Sequence, residues 1–156
     1  MYVVPTPLGN LADLTRRAEQ VLCEVTWIAA EDTRHSAPLL KHLGASAHLL
    51  PAHQHNENEA AARILAKLQA GESVALISDA GTPGISDPGA RVVAAVRAAG
   101  ARVVPLPGAC AATTALSAAG LVDPHFLFYG FLPSKSGQRR QALTELAAHP
   151  YTLVFY

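Results

Sequence analysis

The 156-residue chain has no charge imbalance, since 12 Lys and Arg balance 12 Asp and Glu. Bulk charge therefore gives no sign of a nucleic-acid partner, although a local basic patch remains open. No apolar run approaches the ~18 residues that a membrane helix requires. The opening residues MYVVPTPLGN lack a basic start and a long apolar stretch, which argues against a signal peptide. Cysteine is scarce: Cys23 and Cys110 lie far apart and form no CxxC. The simplest expectation is a protein of a reducing intracellular compartment, the cytoplasm, with both thiols buried as small hydrophobes. No fixed-period repeat is present.

What remains is an apolar chain, 50% hydrophobic, long enough for one domain with a sizeable core. Short apolar runs alternate with amphipathic ones. Strands are expected at 2–4, 26–30, 47–52, 73–78, 101–106, 125–131 and 151–156. Helices are expected at 11–25, 34–44, 56–71, 88–100, 109–120 and 136–149. Asn10 and Asn56 are the expected caps of the first and third helices. This alternation predicts an α/β fold with a mostly parallel sheet flanked by helices. The chain stops inside the apolar run YTLVFY. That is read either as a terminal strand tucked into the sheet or as a cut within a longer protein, with Pro133–Gly137 as part of a linker.

The least regular segment, SDAGTPGISDPG (Ser78–Gly89), follows a buried strand and holds three glycines, two prolines and two aspartates. Connections of this kind usually run ~2–6 residues. Ligands of open α/β sheets bind at the carboxyl ends of strands, so a ligand loop is the reading. Gly84 and Gly89 have the spacing of a phosphate loop, but Ala90 and Arg91 stand where Lys and Ser/Thr are needed. The segment PTPLGN behind the first strand is not a dinucleotide fingerprint, and Pro5 and Pro7 have no N–H to offer a pyrophosphate. A ligand with an adenosine and an amino-acid end but no phosphate fits better. Asp79 either binds its ribose or ammonium or caps the next turn. Small residues at Gly108–Thr113 suit either close ligand approach or close helix packing.

The second polar cluster is EDTRH: Glu31, Asp32, Thr33, Arg34 and His35. It reads as a site at a strand end, or as an N-cap by Asp32 or Thr33 with the other charges solvated. The run His53–Glu59 has H-x-H spacing, but a cap with an acidic first turn is favoured over a metal. Lys135, Arg139 and Arg140 are a solvated face or a phosphate contact.

Taken together, VPTPLGNLADLTRRA, AAEDTRHSAPLLKHLG, HNENE, LISDAGTPGISDPG, VPLPGACAATTALSAAGL and FLFYGFLPSKSGQRR resemble the N-terminal part of the bacterial small-subunit (16S) ribosomal RNA cytidine 2′-O-methyltransferases. Those enzymes belong to the tetrapyrrole methylase superfamily. The resemblance implies a two-domain, commonly homodimeric enzyme using S-adenosylmethionine, with the small ribosomal subunit as partner and no membrane or metal. Residues 1–132 would be the N-terminal α/β domain, and 133–156 a linker and the start of a truncated C-terminal domain. Cofactor contacts carry over to Leu8, Asp79, Ala80, Gly81, Thr82, Pro83, Ile85, Ala111 and Ala112. The catalytic candidates are Glu31, Asp32 and His35 as base and Arg34 as a phosphate clamp. Two alternatives stay open: methylation of a tetrapyrrole or other small molecule, and a non-catalytic dimerisation fragment.

Overall fold

The computed structural model describes residues 1–156, which divide into two compact units, Met1–Cys110 and Ala111–Tyr156. In the first unit β1 (Tyr2–Val3), α1 (Arg16–Glu24), β2 (Trp27–Ala30), α2 (Thr33–Leu43), β3 (His48–Pro51), α3 (Glu57–Gln69), β4 (Val74–Ile77), α4 (Ala90–Ala98) and β5 (Val104–Pro105) follow one another. The strands form one sheet of order β3-β2-β4-β1-β5, and every ladder in it is parallel. The parallel α/β architecture expected from the alternation is the observed one.

Side-chain alternation divides the core into two layers. Ile28, Ala30, Ala75 and Ile77 pack with Ala18, Val21, Leu22 and Leu40, so α1 and α2 cover one face. Ala29, Val74 and Leu76 pack with Ala60, Ala61, Ile64, Val92 and Val96, so α3 and α4 cover the other. Leu22, Ile28 and Ile64 are wholly enclosed; each such side chain contributes about 1.5–3 kcal/mol over leaving it exposed.

Three local expectations are corrected. The first helix does not run unbroken from Leu11. A single 3-10 turn occupies Leu11–Asp13, capped by Asn10, and Leu14 is extended (ψ 124°). The α-helix starts again at Arg16, where the Thr15 hydroxyl accepts from the Ala18 N–H. At α3, the Asn56 side chain does not cap its helix; it accepts from His53 N–H and donates to Pro51 O. Cys23 is exposed, because the buried stripe of α1 is Ala18, Val21 and Leu22 and position 23 lies off it. Its thiol donates to the Leu43 carbonyl at 3.5 Å.

The second unit holds α5 (Ala111–Ala118), β6 (Phe126–Gly130), α6 (Ser136–Leu146) and β7 (Thr152–Phe155). The two strands pair in parallel, with an irregularity at Phe128–Gly130. Lys135, Arg139 and Arg140 are exposed around the start of α6. The Arg139 guanidinium donates to Ser134 O at 3.1 Å.

Candidate active site

The chain leaves β2 toward β3 and leaves β4 toward β5, in opposite directions and on opposite faces of the sheet. The carboxyl ends of these neighbours therefore border a crevice of the kind in which open α/β sheets bind ligands. The loops meeting there are those that the sequence marked.

The loop behind β4 is held by the loop behind β1. Thr6 and Gly81 form an antiparallel bridge, with both N–H···O bonds at 2.9 Å. The Thr6 hydroxyl donates to Ser78 O at 3.1 Å, and the Ser78 hydroxyl donates to Gly81 O at 3.2 Å. Gly81 has a φ of +83°, and a Cβ there would stand 3.3 Å from Leu8 Cδ2. Thr82 Oγ1 donates to Ala109 O at 2.8 Å, which ties in the loop behind β5. That third loop presses on the first: a Cβ at Gly108 would fall 2.8 Å from Cβ of the buried Pro5. Gly108→Ala should lower unfolding stability by about 1–3 kcal/mol, because a proline ring in a packed loop has no rotamer to yield. Urea titration reads this directly. The result is a shelf of backbone and small side chains in which Pro5, Pro7 and Pro83 have no N–H. It fits a cofactor that brings no phosphate, as S-adenosylmethionine does.

A further clamp comes from α3. The buried Glu57 carboxylate accepts from the Gly89 N–H at 3.0 Å and from the Arg91 N–H at 3.1 Å, both through Oε2. Those are free donors at the start of α4, whose N-cap is Gly89 and has no side chain to satisfy them.

Asp32 caps α2: its Oδ1 accepts from the Arg34 N–H at 2.9 Å and from Arg34 Nε at 3.1 Å, and Oδ2 from Nη2 at 2.8 Å. These hydrogen bonds and the guanidinium charge hold its carboxyl far below the usual carboxylate range. Glu31 behaves oppositely. Burial pushes its carboxyl up, and the neighbouring Asp79 and Asp87 charges add to this, while the Asp79 N–H and His35 partly offset it. The backbones cross-link the two strand ends: the Asp79 N–H donates to Glu31 Oε2 at 3.4 Å, and the Asp32 N–H to Asp79 Oδ1 at 3.1 Å. Burial, and then Asp79, also raise Asp87. Two adjacent carboxyls with pKa values pushed apart, one held ionised and one retaining proton affinity, are a pattern suited to proton transfer.

A cleft of about 590 Å³ opens beside these groups; Thr6, Leu11, Arg34, His35, Asp79 and Ala80 are among its walls. A second cleft, of about 660 Å³, runs from Thr82, Pro83 and Gly84 along α4 to Arg97. The sequence-derived residues thus gather in two groups. Leu8, Gly81 and Thr82 meet at the shelf, while Glu31, Asp32, Arg34, His35 and Asp79 meet at the ends of β2 and β4. Pro83 is buried, and Ala80 and Ile85 are exposed. Ala111 and Ala112 form the first turn of α5 in the second unit, with Ala112 buried there. Sequence reading passed over Glu57 as an acidic first-turn residue and passed over Ser36, a buried residue on the cleft wall. Only three-dimensional contact singles them out.

Comparison with known proteins gives a consistent picture. The sequence profile of the tetrapyrrole (corrin/porphyrin) methylases matches residues 1–156. A ribosomal RNA small subunit methyltransferase I from Escherichia coli O157:H7 is 59% identical over the whole chain, which covers 54% of that protein. The protein of the same name from Synechocystis sp. is 48% identical, with 56% of it covered. The chain spans about half the length of the curated relatives it matches. Among solved structures, a uroporphyrin-III-C-methyltransferase from Thermus thermophilus superposes with a TM-score of 0.67 at 26% identity, covering 92% of this chain and 72% of that one. The methyltransferase CobJ superposes at 0.72 with 23% identity, covering 99% and 66%, a likeness of fold.

Proposed function

The chain belongs to the tetrapyrrole (corrin/porphyrin) methylase family, and we propose that it is the N-terminal domain of an S-adenosylmethionine-dependent enzyme that methylates a cytidine ribose 2′-oxygen in small-subunit ribosomal RNA. The observation that carries this is the 48–59% identity, over every residue of the chain, to proteins named ribosomal RNA small subunit methyltransferase I. In this reading the N-terminal domain extends over residues 1–132, past the compact unit that ends at Cys110, and 133–156 lead into a second domain that would supply the remaining cofactor contacts. The whole enzyme works as a cytoplasmic homodimer.

The cofactor supplies an electrophilic sulfonium methyl. Leu8, the Asp79–Pro83 backbone and Ile85 would hold it. The chain's task would be to hold the acceptor hydroxyl against the donor shelf in an orientation fit for transfer. Glu31 or His35 would accept the hydroxyl proton of the acceptor, directly or through one water. Asp32 is the weakest of the three bases, because Arg34 holds its carboxylate ionised. Arg34, oriented by Asp32, meets the adjoining phosphate with Nη1, which takes no part in the pair.

A second reading, transfer to a tetrapyrrole, draws on the superposition with the uroporphyrin-III enzyme. Labelled S-adenosylmethionine offered to the full-length protein with purified small subunits in one tube and a precorrin in another separates them. Label is expected in the RNA; label in the precorrin alone would replace the RNA reading.

A further inference from the structure

The wall of the 590 Å³ cleft includes a buried polar side chain that the protein leaves without a partner. Ser36 is 4% exposed, and its Oγ is the buried side-chain polar atom for which the structure provides no hydrogen bond. Helical serines commonly return the hydroxyl proton to the carbonyl four residues back. Here the Asp32 carbonyl accepts the Ser36 backbone N–H at 3.0 Å, and the hydroxyl does not join it. Pro38, two residues on, has no N–H, so the Arg34 carbonyl also lacks its usual helical donor. A buried hydroxyl without a partner is a net cost to the fold, and alanine at this position would serve packing as well.

We propose that this cleft takes the acceptor nucleoside and that Ser36 Oγ hydrogen-bonds an edge of its base, which makes Ser36 a specificity-determining residue. The proposal rests on the methyl-transfer reading and deepens it. The volume lies in the range of small-ligand pockets, roughly 300–1,000 Å³. Pro7, Leu11, Pro38 and Leu39 supply apolar walls for a flat ring. Thr6, Pro7, Ser78, Asp79 and Ala80 border both the shelf and the cleft, while Leu8, Gly81, Thr82 and Pro83 do not line it. The cleft therefore adjoins the donor shelf and shares part of its wall, and His35, one of the two candidate bases, also lines it.

The test uses Ser36→Ala in the full-length protein, with small subunits as acceptor. KM for the subunits should rise about tenfold, with kcat changed by less than about threefold. The S-adenosylmethionine Kd should stay within about twofold, and the melting temperature should hold or rise by about 2–4 °C. A merely structural hydroxyl predicts the reverse, a lower melting temperature with KM unchanged, and that result overturns the proposal. Weakened S-adenosylmethionine binding with KM unchanged overturns it too, by assigning the cleft to the donor. Should the wild type label no RNA, the methyl-transfer reading fails separately. Cytidine titrated into both proteins by NMR then decides the cleft: weaker binding to Ser36→Ala upholds it, and equal or absent binding overturns it.

Discussion

Glu57→Ala is expected to lower unfolding stability by about 3 kcal/mol and to weaken S-adenosylmethionine binding tenfold or more. Two backbone N–H groups at the start of α4 depend on this one carboxylate oxygen. Hydrogen bonds to a charged acceptor contribute about 1.5–3 kcal/mol each, and their loss strands partly buried donors beside the positive end of a helix. The cap has to come from outside the loop. Gly89 has a φ of +130°, and a Cβ there would stand 3.1 Å from Leu76 Cδ2, so Ser or Asp cannot take the N-cap position without strain. Releasing Gly89 frees the loop that begins at Ser78 and carries Asp79 to Pro83, hence the expected loss of cofactor affinity. Glu57→Gln keeps an oxygen acceptor and should lose about half as much stability. Denaturant titration and calorimetry read the two effects. If Glu57→Ala retained wild-type stability and affinity, α3 would have no hold on the cofactor loop.

Glu31→Gln is expected to reduce methyl transfer by about 10²- to 10⁴-fold while leaving the fold intact, the range associated with removing a general base. Glutamine retains an oxygen for the Asp79 N–H, so the clasp between the ends of β2 and β4 survives. The pH dependence has a definite sign. Burial raises the Glu31 pKa above its ordinary 4.5. A base must be ionised to act, so the wild-type rate should climb with pH through a limb lying above 4.5, and the variant should lose that limb. Stability runs the other way. An acid whose folded pKa exceeds its unfolded one binds its proton more tightly when folded, so stability falls as pH rises from the unfolded value through the folded one. Glu31→Gln removes that decline, and neutral-pH stability should be equal or higher. Asp32 has the opposite linkage, with a depressed pKa whose benefit is present above the unfolded value and lost on acidification. Single-turnover rates between acid and neutral pH, beside melting curves at the same values, test both. An unchanged rate in Glu31→Gln would pass the role to His35.

Strand and helix order was legible because period-2 and period-3.6 patterns are local properties. VALI behind one glycine and before a run of glycine and proline has few ways to fold except as a buried strand. The ligand loops were legible for a similar reason, since positive φ and missing N–H groups belong to Gly and Pro wherever they stand. The break at Leu14–Thr15 was not legible, because the apolar spacing continues across it while two side-chain caps compete for the same stretch.

Composition and local pattern by themselves determined the parallel α/β class, the loops that could accept a phosphate-free ligand, and the polar cluster that joins them. Only the tertiary structure decided that Glu57 caps a helix thirty-two residues away, that Glu31 and Asp32 diverge in acidity, and that Ser36 lies unbonded in the wall of a cleft. Each of these depends on strand order β3-β2-β4-β1-β5, which brings the ends of β2 and β4 together and packs α3 beside α4. Hydrogen-bond satisfaction and desolvation are set by neighbours in space, and a one-dimensional pattern does not contain them.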